Sequence, residues 1–366
     1  MSGDLVLVIV VATALTFDFT NGFHDTANVV ATSISTRALS PRMAVTLAAL
    51  LNFVGAFISL EVAATVANDV VQAGAITPTV IFAGLVGAIS WNLITWYYGI
   101  PSSSSHALIG GMVGAAFAAA GASAVIGQGV LGKVLIPAVL APIVAFGVAA
   151  LALGIAYRTV GRQRPGPVNR GFRLGQIASS SLLALAHGTN DAQKTMGVIT
   201  LALIANGNLS ATSFEVPTWV VVSAATAIAA GTYSGGWRII RTMGTRIIKM
   251  DTAQGFTAQG SGAAVILASS HFGFPLSTTQ VIAGSVMGSG AGKRLSAVRW
   301  GVAGNMLVAW LLTLPAAAAV GGVVYGFTRI FGTGAVGPLL VFVAAIAFGL
   351  TLFARRLRFG QPVPSA

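Results

Sequence analysis

The chain has 366 residues, of which 55% are hydrophobic and only 8% are charged, and its mean hydropathy is +0.85. Soluble domains carry about 25% charged residues, so this composition excludes an ordinary soluble domain and indicates an integral membrane protein. Cysteine is absent, which excludes a disulfide framework and a thiolate metal site.

Apolar runs of about 20 residues, the length that crosses a bilayer as a helix, follow one another along the chain. They predict an all-α integral membrane protein with about 10–12 transmembrane or re-entrant helices. Spans are predicted near residues 5–36, 43–66, 78–99, 131–157, 174–205, 217–234, 300–325 and 336–354. The runs 78–99 and 101–120 meet at Pro101, and the runs 256–272 and 275–290 meet at Pro275. Each junction predicts a helical hairpin or a helix broken inside the membrane.

Polar stretches interrupt two of these spans. Asn21–Asn28 reads NGFHDTAN and follows Asp18 in the first span, and His187–Lys194 reads HGTNDAQK in the span near 174–205. Ionisable side chains inside a membrane cost roughly 3 kcal/mol or more each, and they are kept where they face a cavity and bind something polar. We therefore expect each span to be broken at its polar stretch.

Basic residues fall in five groups that lie on one side when the chain is followed through the predicted spans. These groups hold most of the 20 Lys and Arg residues and lie at 37–42, 158–173, 238–249, 293–299 and 355–358. Because excess Lys and Arg marks the cytoplasmic face, the N-terminus is predicted outside and the C-terminus in the cytoplasm. The net charge of +12 therefore reflects topology and does not indicate a nucleic-acid partner.

The polar stretches and the hairpins together predict an internal repeat. Asp191 follows Asp25 by 166 residues, and Gly273–Gln280 (GFPLSTTQ) follows Gly99–His106 (GIPSSSSH) by 174. The loop after the first broken span is basic and the loop after the second is not, so the halves have opposite predicted orientations. Inverted repeats of this kind are typical of transporters and place the binding site near mid-membrane. The predicted division is 1–157 for the first repeat, 158–173 for a basic cytoplasmic loop, 174–325 for the second repeat, and 326–366 for a last helix and cytoplasmic tail.

Paired glycines strengthen the repeat. Gly110 and Gly114 match Gly284 and Gly288 at the same separation of 174 residues. Two glycines four residues apart give a helix a smooth face, so we expect each pair to mark a close helix contact.

The two hairpin tips carry hydroxyl-rich sequences that suit an anion. Ser102–Ser105 directly follows Pro101, and Ser277–Thr279 follows Pro275 after one intervening residue. The first turn of a helix presents backbone N–H groups without intrahelical partners and the positive end of the helix dipole. A single run of this kind could serve only as a helix cap, but two symmetric runs favour binding of a tetrahedral oxyanion.

The aspartates of the polar stretches need a cationic partner inside the membrane. Sodium, a proton, a hard metal ion held by Asp25 and Asp191, or the ammonium of Lys194 could each serve. An Asp–Lys or Asp–Asn pair that only fixes helix packing is the alternative. Histidine titrates near neutral pH, which makes His24 and His187 candidates for a proton relay. For His106 we expect a hydrogen bond between helices.

Signals for other chemistries are missing from the sequence. There is no G-x-x-x-x-G-K-[ST], so the chain contains no P-loop ATP motor, and neither G-x-S-x-G nor H-E-x-x-H occurs. The chain is therefore not predicted to be an enzyme, and no cofactor is predicted. An anion channel that uses the same helix ends without coupling is the alternative to a transporter.

At this point the motifs can be compared with a known family. The segments NGFHDTAN, HGTNDAQK and GIPSSSSH resemble the PiT family of inorganic phosphate transporters, and the resemblance extends over nearly the whole chain. It implies uptake of inorganic phosphate across the plasma membrane, an inverted-repeat fold and a homodimer. It also implies phosphate and cation sites at the following positions: Asp25, Asn28, Ser103, Ser104, Ser105, Asn190, Asp191, Ser277, Thr278 and Thr279.

The chain departs from the sodium-coupled branch of that family, which resembles NDVANA in both halves. Here His24 precedes Asp25, and Gln193-Lys194 stands where Ala-Asn would stand. An ammonium at position 194 could occupy the charge position that a sodium ion would otherwise fill, and the pattern seen here resembles that of the proton-coupled bacterial members of the family. The resemblance therefore implies proton symport, with phosphate carried alone or as a neutral complex with a metal such as Mg²⁺. Sodium-coupled phosphate transport and proton-coupled sulfate transport remain the alternatives.

Overall fold

The computed structural model of the protein describes residues 2–210 and 214–359. Apart from one isolated bridge between Val71 and Val125, the regular elements in this part of the chain are helical. The α-helices of five or more residues are α1 Ser2–Ser35, α2 Pro41–Gly55, α3 Glu61–Asn68, α4 Pro78–Tyr98, α5 Ser104–Ala120, α6 Ile136–Val160, α7 Pro165–Ala205, α8 Thr218–Ser234, α9 Trp237–Arg241, α10 Thr252–His271, α11 Thr278–Lys293, α12 Trp300–Ile330 and α13 Val336–Phe359. The all-α prediction is confirmed.

Four helical segments in the described residues are long and apolar enough to cross a membrane: Gly3–Ser35, Pro78–Tyr98, Gly127–Val160 and Trp300–Ile330. Three shorter apolar helices are Pro41–Gly55, Ser104–Ala120 and Val336–Thr351. On α6 and α12, large apolar side chains such as Leu151 and Leu311 are exposed, as expected of surfaces that contact lipid. The fold is that of a multi-pass membrane protein.

The breaks predicted at the two polar stretches do not occur, because α1 and α7 run through them as continuous helices. Gly22 and Gly188, which lie in these stretches, mark places where helices touch. A Cβ atom at Gly22 would clash with the Ile228 carbonyl oxygen of α8, and one at Gly188 would clash with the Asn52 carbonyl oxygen of α2. The glycines serve close packing, which is their usual role between membrane helices.

The single span predicted at 43–66 is divided into α2 and α3. The division is stabilised by Gln193 of α7, whose side-chain oxygen accepts hydrogen bonds from the backbone N–H groups of Val62 (2.9 Å) and Ala63 (3.3 Å). These groups lie in the first turn of α3, where a helix has no acceptor of its own for them. A side chain from a distant part of the sequence therefore caps this helix.

Two smaller predictions need correction, and a third concerns residues outside the described part of the chain. Most of the loop predicted at 158–173 is helical, because α7 begins at Pro165 and proline is tolerated in a first turn. The helices of the runs predicted from residues 101 and 275 begin three residues later, at Ser104 and Thr278, so both prolines precede their helices. The end of the predicted tail, residues 360–366, lies outside the described residues.

The two hairpins, α4–α5 and α10–α11, have matching tips. Gly99 and Gly273 occupy matched positions in the two hairpins. They adopt φ values of +69° and +70°, which favour glycine. Ser103 and Ser277 then cap the second helix of each hairpin by accepting hydrogen bonds from the backbone N–H groups three residues later. The hairpin interpretation of both proline junctions is correct.

Helix contacts recur in pairs that follow the predicted repeat. Helix α5 packs against α12 as α11 packs against α6, and α1 packs against α8 as α7 packs against α2. The predicted glycine faces lie in these contacts, since a Cβ atom at Gly114 would clash with the Ala318 carbonyl oxygen and one at Gly288 with that of Phe146. The glycine-face prediction is therefore borne out by the packing of these four helices.

Helices α1 and α7 lie side by side and run in opposite directions. Thr36 donates a hydrogen bond to the Gln176 side chain (2.8 Å), and Ser33 lies 3.5 Å from the Ser180 hydroxyl. The N-terminal parts of α1 and the C-terminal parts of α7 belong to one apolar cluster, and their opposite ends belong to a second cluster. The polar stretches therefore meet at the middle of the molecule, between the two clusters.

Candidate functional site

The carboxylate of Asp25 is buried and is shared among three helices. Its Oδ1 atom accepts a hydrogen bond from the His24 ring at 2.6 Å and lies 3.4 Å from the Thr279 hydroxyl of α11. Its Oδ2 atom accepts from the Ser104 hydroxyl of α5 at 2.6 Å. Asp25 thus joins α1 to the first turns of α5 and α11, the second helices of the two hairpins.

The carboxylate of Asp191 is buried in the same region and is paired with Lys194 one turn later on α7. Its Oδ2 atom accepts a hydrogen bond from the Thr278 hydroxyl of α11 at 3.2 Å. The Lys194 ammonium also donates to the Ser105 hydroxyl (2.6 Å) and to the Leu276 carbonyl oxygen (2.8 Å). A buried cation therefore lies between the tips of both hairpins, and all of its partners in these contacts are oxygen atoms.

The hydroxyl contacts repeat between the two halves. Ser104 donates to Asp25, and its counterpart Thr278 donates to Asp191. The next hydroxyl in each tip contacts the other half: Ser105 meets Lys194, and Thr279 accepts from the Asn28 amide at 2.9 Å. Asn28 and Lys194 occupy matched positions, so the site has a two-fold pattern in which one amide is replaced by a cation.

Two histidines adjoin the aspartates from different sides. The second ring nitrogen of His24 lies 3.1 Å from the Thr95 hydroxyl and 3.3 Å from that of Ser102. The Nε2 atom of His187 is 3.0 Å from the Asp191 carboxylate, which is close enough for an ion pair. The two groups are poorly aligned for a hydrogen bond. Its Nδ1 atom lies 3.3 Å from the Asn52 side-chain oxygen. Both rings are therefore held in polar surroundings next to a carboxylate.

Asp25, His187 and Asp191 could together contact one cation, because each offers a ligand atom and these atoms lie within 4.8 Å of one another. Carboxylate oxygens suit Mg²⁺, whereas an imidazole nitrogen is a softer ligand that suits zinc and similar metals better. Lys194 already neutralises one oxygen of Asp191. The donor set fits a proton or a transient, weakly held cation better than a permanently bound metal.

Three of the predicted phosphate ligands use their side chains to shape the hairpins. The hydroxyls of Ser103 and Ser277 cap α5 and α11, and the Asn190 amide donates to the Ser270 hydroxyl (2.9 Å) and the Phe274 carbonyl oxygen (3.3 Å). The structure brings the remaining predicted residues to the centre: Asn28, Ser104, Ser105, Thr278, Thr279, His24, Asp25, His187, Asp191 and Lys194.

Comparisons with known proteins point to one family. The sequence pattern of the phosphate transporter family matches residues 21–170 and 162–321. A probable low-affinity inorganic phosphate transporter of Mycobacterium bovis is 58% identical over 337 residues, covering 92% of this chain and 81% of the relative. The relative from Bacillus subtilis with the same description is 46% identical and covers 88% of this chain and 96% of its own length. The chain belongs to the phosphate transporter family.

A solved structure described as a sodium-dependent phosphate transporter has the same fold as this family member. It superposes with a TM-score of 0.79 and covers 89% of this chain and 99% of its own, at 23% sequence identity. Phosphate is the substrate of the phosphate transporter family, and the membership of this chain in that family confirms the resemblance drawn from the motifs.

Sequence reasoning missed several residues around the site. Thr95 and Ser102 position His24, and Ser270 positions Asn190. Each is a small hydroxyl residue on a helix or at a tip, and such residues are common throughout membrane helices. Ser102 carried a usable signal, because it belongs to the hydroxyl-rich run Ser102–Ser105, although it was not among the residues predicted to bind phosphate.

Proposed function

We propose that the protein imports inorganic phosphate by proton symport. The observation that carries this proposal is the position of Lys194, whose ammonium contacts the Asp191 carboxylate, a hydroxyl and a carbonyl oxygen. These are the ligands that a sodium ion would use. The matched position in the first half holds the neutral Asn28. A built-in cation removes the need for one coupling ion and leaves the buried acids and histidines to carry protons.

Phosphate would bind between the two hairpin tips. The first turns of α5 and α11 direct N–H groups and the positive ends of two helix dipoles toward the centre, which favours an anion. The hydroxyls of Ser104, Ser105, Thr278 and Thr279 can rotate to donate to phosphate once the side chains that they now contact move apart. The ammonium of Lys194 would compensate part of the charge of the anion.

The carboxylates favour phosphate over sulfate. Phosphate near neutral pH carries a proton that it can donate to the carboxylate of Asp25 or Asp191, whereas sulfate has none. A buried acceptor left without a donor is costly, and discrimination on that basis can be large. We therefore expect a large excess of sulfate to compete poorly with labelled phosphate.

The antiparallel arrangement of α1 and α7 and the paired helix contacts favour an inverted repeat. In such a repeat, one half rocks against the other around a site at mid-membrane, so that the site faces each side in turn. We propose this alternating access for a homodimer in the plasma membrane, with the N-terminus outside and the C-terminus in the cytoplasm.

Uptake into proteoliposomes tests the coupling. An inward proton gradient without sodium is expected to drive accumulation of labelled phosphate above its external concentration. Accumulation that follows a sodium gradient and ignores the pH gradient would refute proton coupling. Flux that runs only downhill under every gradient would indicate an anion channel.

The form in which phosphate is carried requires a separate assay. If a neutral metal–phosphate complex is the substrate, uptake should rise with Mg²⁺, and labelled phosphate and divalent metal should enter together. Equal phosphate uptake in the presence of a chelator would show that free phosphate is transported.

A further inference from the structure

Asp18 is a buried carboxyl group that the central cluster does not use. It lies on α1 two turns before Asp25, about 10 Å along the helix axis, and its exposed fraction is 0%. Among the described side chains, none meets either Asp18 oxygen with good hydrogen-bond geometry. The Thr195 hydroxyl of α7, which is also buried, faces it.

The charges that act on Asp18 come from one pair on the neighbouring helix. Asp191 and Lys194 of α7 exert opposite effects on it, and these two residues are themselves paired. Helices α4 and α8, which also pack against α1, contain no Asp, Glu, Lys, Arg or His. Among the described residues, Lys194 is the cation that acts on Asp18, and it is already engaged by another carboxylate.

This arrangement favours the neutral acid. An ionised carboxylate buried without a donor or counter-ion is expensive, so a carboxyl group in such a place takes up a proton. Release of the proton becomes favourable when Lys194 is free to compensate the charge. The pairing of Lys194 with Asp191 can thus decide whether Asp18 is protonated.

We propose that Asp18 is the site that binds the proton transported with phosphate; this inference rests on the proton coupling proposed above. A phosphate anion at the centre adds negative charge near Asp18 and disfavours its carboxylate form. By thermodynamic reciprocity, protonation of Asp18 then strengthens phosphate binding. In the outward-facing state the carboxylate takes a proton from water. In the inward-facing state its O–H bond breaks, the proton passes to water, and the carboxylate remains.

The test is Asp18→Asn in proteoliposomes, with two measurements. If Asp18 must be protonated, exchange of labelled phosphate by the unmodified protein should decline at alkaline pH. The amide resembles a permanently protonated carboxyl group, so Asp18→Asn should lose that decline. The number of protons taken up per phosphate, measured from the pH change of a weakly buffered external medium, should fall by one. Asp18→Glu should retain both the decline and the proton count.

Asp4→Asn is the matched control, because it makes the same chemical change on an exposed part of α1 and should behave as the unmodified protein. The inference is overturned if Asp18→Asn keeps the proton count and pH profile of the unmodified protein. It is also overturned if Asp18→Asn exchanges no phosphate at any pH. If the unmodified protein itself takes up no protons with phosphate, the proposed coupling fails first, independently of Asp18.

Discussion

At the scale of single residues, the centre of the protein is organised around two carboxylates with different partners. Asp25 is held by a ring nitrogen and hydroxyls, whereas Asp191 is held by the ammonium of Lys194. Charge-assisted hydrogen bonds of this kind are shorter and stronger than neutral ones. The hydroxyl partners of Asp25 can yield to a substrate at low cost, whereas separating Lys194 from Asp191 requires another anion in exchange, and phosphate can supply one.

Asp191→Asn should abolish accumulation of phosphate. The amide cannot neutralise Lys194, and breaking a buried pair in this way costs about 3–5 kcal/mol because one charge remains unpaired. Uptake driven by a pH gradient is the measurement, with the amount and size of the purified protein as the check on folding. Asp69→Asn, on a partly exposed carboxylate outside the site, is the control. Near-normal accumulation in Asp191→Asn would contradict the assigned site.

The buried charged residues of the centre could be predicted from the sequence, because a charged residue inside an apolar run stands out from its neighbours in the chain. Asp25, Asp191 and Lys194 were predicted on that basis, and the repeat drew attention to Ser104, Ser105, Thr278 and Thr279. Gln193 lay inside a predicted motif, yet its bond to the first turn of α3 could not be predicted, since its partners are about 130 residues away in the chain. Contacts of this type depend on packing and leave no local pattern.

At the scale of helices, glycine was the residue whose meaning sequence could not decide. The same residue can end a helix or let two helices touch, and both uses occur here. Gly99 and Gly273 turn the chain at the hairpin tips, whereas Gly22 and Gly188 lie inside continuous helices and pack against α8 and α2. A proline two residues after the glycine marks both turns, and no proline follows Gly22 or Gly188 at that spacing, which agrees with continuous helices.

Gly114→Ala should destabilise the protein by about 1–3 kcal/mol, the usual range for overpacking, because its methyl group would displace the Ala318 backbone. Gly147→Ala is the control: it lies on α6, where an added Cβ atom meets nothing within 4 Å, so helix propensity alone should make it neutral or stabilising. Thermal unfolding in detergent measures both. Equal unfolding midpoints for the two variants would show that α5 and α12 can move apart to accept the added methyl group without loss of stability.

Asp251 joins three helices at one end of the molecule. It caps α10 by accepting from the Gln254 backbone N–H (2.9 Å), and its other oxygen accepts from Lys293 and Tyr157 at 3.0 Å each. Burial opposes its ionisation, but the hydrogen bonds from Gln254 and Lys293 outweigh this and hold the pKa of Asp251 below its ordinary value. The stabilisation from its charge is therefore present above about pH 4 and is lost as pH falls through the lower, folded-state pKa.

Asp251→Ala should lower stability by about 1 kcal/mol, mainly through loss of the cap, since the partly exposed ion pair with Lys293 contributes little. Asp251→Asn keeps a capping side chain without the charge and should cost only a few tenths of that amount. Unfolding midpoints measured from pH 7 down to pH 3 separate the two. A pH dependence in Asp251→Asn equal to that of the unmodified protein would show that other groups produce it.

At the scale of the whole molecule, the distribution of Lys and Arg and the antiparallel packing of α1 and α7 predict the same membrane topology. Helix α7 begins just after a basic segment, 158–164, and runs antiparallel to α1, so the two ends of α7 lie at opposite faces of the protein. The segment after α7, beginning at Asn206, carries no basic residue up to Arg238. Since Lys and Arg mark the cytoplasmic face, the start of α7 should be cytoplasmic and its end external.

Single cysteines test this orientation without interference, because the chain contains none of its own. Arg162 and Asn208 are exposed and lie just beyond opposite ends of α7. In intact cells a membrane-impermeant thiol reagent should label Asn208→Cys, and it should label Arg162→Cys only after the membrane is permeabilised. The reverse pattern would place the N-terminus inside. Labelling of both positions in intact cells would mean that α7 does not separate the two faces, and the inverted repeat would then fail together with the topology.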